Sequence, residues 1–109
     1  MSARVVELVT YQLKPGTEEA AFLAAVEQSN QFLRNCAGFV ERRVARETGL
    51  PIWLDMVLWE TMEQALSAAS QFNHQPETET FNNLIDRNSA MMTHFEVRAE
   101  CASGAAVAK

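Results

Sequence analysis

Ile52-Trp53-Leu54-Asp55-Met56-Val57-Leu58-Trp59-Glu60 is the stretch that decides the fold. Side chains alternate across a strand, so Ile52, Leu54, Met56 and Leu58 share one face while Trp53, Asp55, Val57 and Trp59 share the other. Both faces are apolar and both need cover. The rest of the chain has only two helices of any length, enough to roof one face of a small sheet. The second face is therefore expected to pack on something outside the subunit, most simply a second copy. The Trp53 and Trp59 face is the one expected at that homodimer interface.

The 109 residues suffice for one domain and one core, expected over 1–100, with 101–109 a flexible tail of small residues. A hydrophobic share of 48% beside 21% charged residues is that of a globular protein and excludes a disordered or membrane class. No apolar run approaches the ~20 residues of a membrane span. Met1-Ser2-Ala3-Arg4 leads into a strand rather than a signal peptide, so the expected compartment is cytoplasmic. A net charge of −5 and scattered arginines argue against a nucleic-acid partner. Cys36 and Cys101 lack metal or redox spacing and read as reduced thiols.

Outward from the central stretch, residues 4–13 have the β-branched and aromatic content of a strand, ended by Lys14-Pro15-Gly16. Thr17 is the expected N-cap of a helix running to about Asn35, its apolar face carrying Phe22, Val26 and Leu33. Phe39 to Glu47, rich in charge, reads as an edge strand that Thr48-Gly49-Leu50-Pro51 turns back into the central stretch. Thr61 and Gln64 have capping-box spacing and open a second helix to Phe72. Phe81, Leu84 and Ile85 suggest a short helical piece, and Met91 to Glu100 a last strand. The order βαββαβ predicts an α+β, ferredoxin-like domain: a four-stranded antiparallel sheet of order 4-1-3-2 with its helices on one face. Two such sheets packed face to face make a dimeric α/β barrel.

Tyr11-Gln12-Leu13-Lys14-Pro15-Gly16 closing the first strand, Ala37-Gly38-Phe39 opening the second, and Met56-Val57-Leu58-Trp59-Glu60-Thr61 leading into a helix resemble the dimeric α+β barrel superfamily. Within it the resemblance is to the antibiotic biosynthesis monooxygenase-like group, whose third strand also ends in Trp-Glu before Ser or Thr. It spans residues 4 to about 98. The resemblance implies the fold and the dimer; the scaffold carries cofactor-free oxygenases, haem-degrading enzymes and isomerases, so chemistry must come from the site. The haem-degrading branch fits poorly: its strand-one Asn falls near Val9 or Thr10, its second-helix Trp near Ala68, and its ligand His would need His74 across a changed spacing. The quinone-forming oxygenases of the superfamily need no cofactor and hold a phenolic substrate as its anion among Trp, Asn, Tyr, His or Arg, residue types this chain possesses.

If Trp53, Asp55, Val57 and Trp59 face a barrel, strand parity brings Glu7, Val9 and Tyr11 to them, and Met92, His94 and Glu96 from the last strand, leaving Phe95 and Val97 toward the helices. An apolar chamber with a few convergent polar groups is the usual form of a small-molecule pocket. The candidate catalytic residues are His94, Asp55 and Tyr11, with Trp59, Trp53, Glu7 and Glu96 as substrate contacts and no metal or cofactor. A buried carboxylate or His there suits general-base removal of a phenol proton. Each residue also has a structural reading: His94 as a hydrogen-bonded strand residue, Trp53 and Trp59 as packing, Asp55 as the partner of an Arg from the other subunit. Two functions follow, a cofactor-independent monooxygenase for a phenolic or quinol-type small molecule, or a non-catalytic barrel binding a small apolar ligand.

Overall fold

In a computed structural model describing residues 3–103, the two most apolar strands lie side by side at the centre of one antiparallel sheet. The elements are β1 (Val5–Leu13), α1 (Glu19–Arg34), β2 (Phe39–Arg46), β3 (Trp53–Trp59), α2 (Met62–Phe72), a 3-10 turn (Pro76–Thr78), α3 (Glu79–Leu84) and β4 (Ile85–Glu96). The sheet order β2-β3-β1-β4 is the 4-1-3-2 order expected, and the fold is ferredoxin-like. Among the described residues no helix is long and apolar enough to cross a membrane. Of the expected tail, Cys101 to Ser103 are exposed and irregular, and 104–109 lie outside the described residues.

The alternation of β3 is complete, but its faces are exchanged relative to the sequence reading. Trp53, Asp55, Val57 and Trp59 are at most 6% exposed and face the helices, not a barrel partner. Volume explains the choice. The rings of Phe22 and Trp53 meet edge to face at 4.8 Å, and Ala65 and Ala68 of α2 leave room for the Trp59 indole, which also meets Phe39 at 5.8 Å. Ile52, Leu54, Met56 and Leu58 are left half-buried on the open face. Cross-strand pairing sets Leu8 beside Met56, and Val6 between Leu58 and Phe95. Phe95, expected against the helices, is thus 51% exposed on the open face, and nearby Met91 is 71% exposed.

Three local expectations also change. Thr17 does not cap α1, because its N–H returns to the Lys14 carbonyl and closes the turn at Gly16, whose φ of +82° suits glycine. Glu18 stands at the N-cap instead, without a side-chain bond. β4 starts at Ile85 rather than Met91, since it pairs with β1 in two registers, Gln12 opposite Asp86 and Thr10 opposite Met91. Residues 87–90 bulge out between those registers. The Ser89 hydroxyl holds the bulge, accepting the Gln12 N–H at 2.8 Å and donating to the Asp86 carbonyl at 2.6 Å. By contrast, Thr61 caps α2 as expected, its hydroxyl accepting the Gln64 N–H at 3.1 Å, although the capping box is not closed, since Gln64 Oε1 is buried without a partner among the described residues. Thr61→Ala should therefore lower stability by about 1 kcal/mol in urea unfolding.

Candidate functional site

Parity on the central strands sends Glu7, Val9 and Tyr11 from β1, and Asp55, Val57 and Trp59 from β3, toward the helices. The small Ala68 and Ala69 of α2 do not fill the space above them, and a cavity of about 250 Å³ remains between sheet and helices. Leu33, Phe72 and Phe81 supply its apolar roof. Its lining is exposed, and so forms the mouth, at Arg87, Ala90 and Met92 of β4 and at Asn73 after α2.

One buried ion pair organises the polar part of the wall. Arg42 grips Asp55 side-on, Nε to Oδ1 at 2.9 Å and Nη2 to Oδ2 at 2.7 Å, with both side chains under a tenth exposed. Its remaining nitrogen, Nη1, donates to Ser29 Oγ and Asn30 Oδ1 of α1, each at 2.8 Å, and the guanidinium lies 5.0 Å from the Phe81 ring centroid. Asp55 is thus neutralised within its own subunit, not by a partner copy. The Tyr11 hydroxyl donates to Asp55 Oδ2 at 3.4 Å. Burial above all, then the Asp55 charge, pushes the Tyr11 hydroxyl far above its ordinary range. It stays a neutral donor and cannot be the base.

Glu7 is the carboxyl with no cation locked to it. Its partner is His94, with Nε2 to Oε2 at 2.8 Å. Burial raises the Glu7 pKa and the Asp55 charge adds to that, while the His94 bond pulls the other way. The Trp59 indole N–H is buried without a well-formed hydrogen bond, yet lies near enough to favour the charged carboxyl weakly. Glu7 can take a proton from a bound ligand and share it with His94. Among the described residues no three His, Cys, Asp or Glu side chains converge as a metal site requires.

Of the residues singled out in the sequence, Glu7, Tyr11, Asp55 and Trp59 stand on the cavity wall. His94 stands behind Glu7, one hydrogen bond from the cavity. Trp53 packs in the core on Phe22, off the wall, and Glu96 sits at the sheet edge beside Arg98 at 3.6 Å. His74 is exposed after α2. Arg42 went unread because β2 looks like a solvated edge. A register shift between Phe39 and Glu41 sets Arg42 opposite Val57, on the helix face.

No protein-family model and no curated protein matches the sequence. Solved structures do match it. SnoaB, a cofactor-independent oxygenase from Streptomyces nogalater, aligns over 94% of this chain and 100% of its own with a TM-score of 0.73 and 16% identity. A candidate antibiotic biosynthesis monooxygenase from Bordetella bronchiseptica aligns over 90% and 100%, with a TM-score of 0.75 and 18% identity. One from Nitrosomonas europaea aligns over 89% and 92%, with a TM-score of 0.68 and 12% identity. The fold is that of the antibiotic biosynthesis monooxygenase-like proteins. At these identities the likeness is one of fold, and the chemistry of the cavity rests on its own residues.

Two consequences can be measured. Arg42→Met strands a buried carboxylate and should cost roughly 3–5 kcal/mol in urea unfolding, whereas Arg42→Met with Asp55→Leu should recover most of it. The Glu7 carboxyl, ordinarily near 4.5, is raised on folding, so the native state binds more protons between 4.5 and the raised value. Its contribution therefore falls as pH rises through that window and is at its most unfavourable above it. Glu7→Gln should gain on the wild type in urea midpoint as pH goes from acid to neutral.

Proposed function

We propose that the protein is a cofactor-independent monooxygenase that converts a phenolic or quinol-type small molecule in the cavity between sheet and helices. The observation that carries this reading is the buried Glu7 carboxyl on an apolar cavity wall, hydrogen-bonded at 2.8 Å to His94. The oxygenase fold of its structural neighbours supports the same class. A cavity of about 250 Å³ falls just below the usual range for ligand sites, which suits one or two rings rather than a large polycycle.

The chemistry is that of a phenol whose para position carries hydrogen. Glu7, backed by His94, takes the phenol proton, and the electron-rich phenolate passes one electron to dioxygen. The resulting radical and superoxide join at the para carbon, and the proton held by Glu7 and His94 returns to the peroxide. Loss of the para hydrogen as a proton and cleavage of the O–O bond then give a quinone and water. Phenol plus dioxygen yields quinone plus water, one oxygen atom in each product, with no outside reductant. Tyr11, kept neutral, and Trp59 position the ring, and the Arg42–Asp55 pair holds Tyr11.

The working form is a homodimer joined through the open sheet face of Val6, Leu8, Leu54, Met56, Leu58 and Phe95, a patch of a kind rarely left wet. A cytoplasmic setting suits the chain, because Cys36 and Cys101 are free thiols.

Oxygen uptake on a panel of one- and two-ring phenols, with labelled dioxygen and mass analysis of the product, tests the reaction. Wild type should place one labelled atom in the quinone. His94→Ala and Glu7→Gln should each lower turnover by roughly 100-fold or more at unchanged fold and assembly. A packing role for His94 would instead cost ~1–3 kcal/mol of stability and spare the activity of the folded molecules. No uptake across the panel would favour the non-catalytic ligand-binding reading. Sedimentation equilibrium at micromolar concentration should give a dimer that Met56→Asp dissociates, since the charge would enter a dry interface. A stable wild-type monomer would end that part of the proposal.

A further inference from the structure

Among the described residues, Arg4, Arg34, Arg42, Arg43, Arg46 and Arg98 each have a carboxylate within 4.0 Å. Arg87 alone of the described arginines is in no such pair, and it stands at the mouth of the cavity. It is carried there by the bulge at 87–90, pinned through Ser89 to Gln12 and Asp86, and through the Asn88 N–H to Asp86 Oδ1 at 3.1 Å. The bulge thus costs the sheet four residues of regular ladder and presents one exposed guanidinium to the cavity opening. In a chain of net charge −5, that placement runs against the overall field.

The charges of the cavity are otherwise settled. Arg42 is spent on Asp55, and Glu7 faces His94. Asn82 is also occupied, its amide donating to the Phe72 carbonyl at 3.2 Å. The lining from Glu7 to Arg87 therefore runs from a proton acceptor, past Val9 and the mutually neutralised Arg42–Asp55 pair, to a single uncommitted cation. A guanidinium of this kind matches a planar carboxylate, which it can hold through two parallel hydrogen bonds.

We infer that the ligand is an acidic phenol: an aromatic ring system with its hydroxyl toward Glu7 and a carboxylate at its far end held by Arg87. This deepens the proposed function and rests on the same cavity. Gln12 faces Asp86 across the sheet, so Arg87 enters near Tyr11, four residues along β1 from Glu7. That separation is roughly 13 Å of strand. The Arg87 side chain spans part of the distance, and a two-ring hydroxy acid with its two groups at opposite ends spans the rest.

The test is equilibrium binding, read by Trp fluorescence, of 5-hydroxy-2-naphthoate and its neutral twin 1-naphthol, both with hydrogen para to the hydroxyl. The acid should bind wild type at least about tenfold tighter than the naphthol, a preference that added salt weakens. Arg87→Gln should erase the preference with naphthol affinity unaltered, and Arg87→Lys should restore part of it. Equal affinity for the two ligands, a preference that survives in Arg87→Gln, or no binding of either would overturn the inference. Binding with that preference but without oxygen uptake on any phenol would leave acid recognition standing while the oxygenase reading fell.

Discussion

Everything in this molecule follows from how β3 disposes of two apolar faces with one layer of helices. The indoles of Trp53 and Trp59 need deep receptacles, and only the helix side has them, in Phe22 against one ring and in the alanines of α2 against the other. The aliphatic side chains of Leu54, Met56 and Leu58 make a flatter surface that a second sheet can cover. The same allocation creates the cavity, because alanines that admit Trp59 at one place leave space above Glu7 and Tyr11 at the next.

Into that apolar space the chain puts two carboxylates, treated in opposite ways. Asp55 is tied by two hydrogen bonds to Arg42, which is itself braced by Ser29 and Asn30, so the pair behaves as a fixed dipole rather than a reagent. Glu7 has only a His for a partner, and burial raises its pKa. Tying one acid to an arginine and leaving the other with only a histidine separates a structural charge from a group placed for proton transfer. The Asp55 charge also assists, since it is among the influences that make Glu7 the stronger base.

The strand and helix order, the sheet order and the company kept by Glu7, Tyr11, Asp55 and His94 were legible in the sequence because each follows from alternation or capping. Which face of β3 meets the helices was not, since period-two patterning marks two faces without saying which is roofed; the contrast between bulky indoles and small alanines in α2 is the signal that decides it. Arg42 and Arg87 were hidden by irregularity. The register shift after Phe39 turns Arg42 inward, and the bulge at 87–90 swings Arg87 to the cavity mouth. No glycine lies within 39–41 or 87–90 to mark either irregularity.

The central claim is that the cavity takes a proton from a bound phenol. The direct measurement is the absorption spectrum of a nitrophenol bound to the protein at a pH below the phenol's own pKa, where the free compound is neutral. The account predicts the phenolate spectrum in the wild type and the neutral spectrum in Glu7→Gln. A nitrophenol that binds the wild type and stays protonated would contradict it.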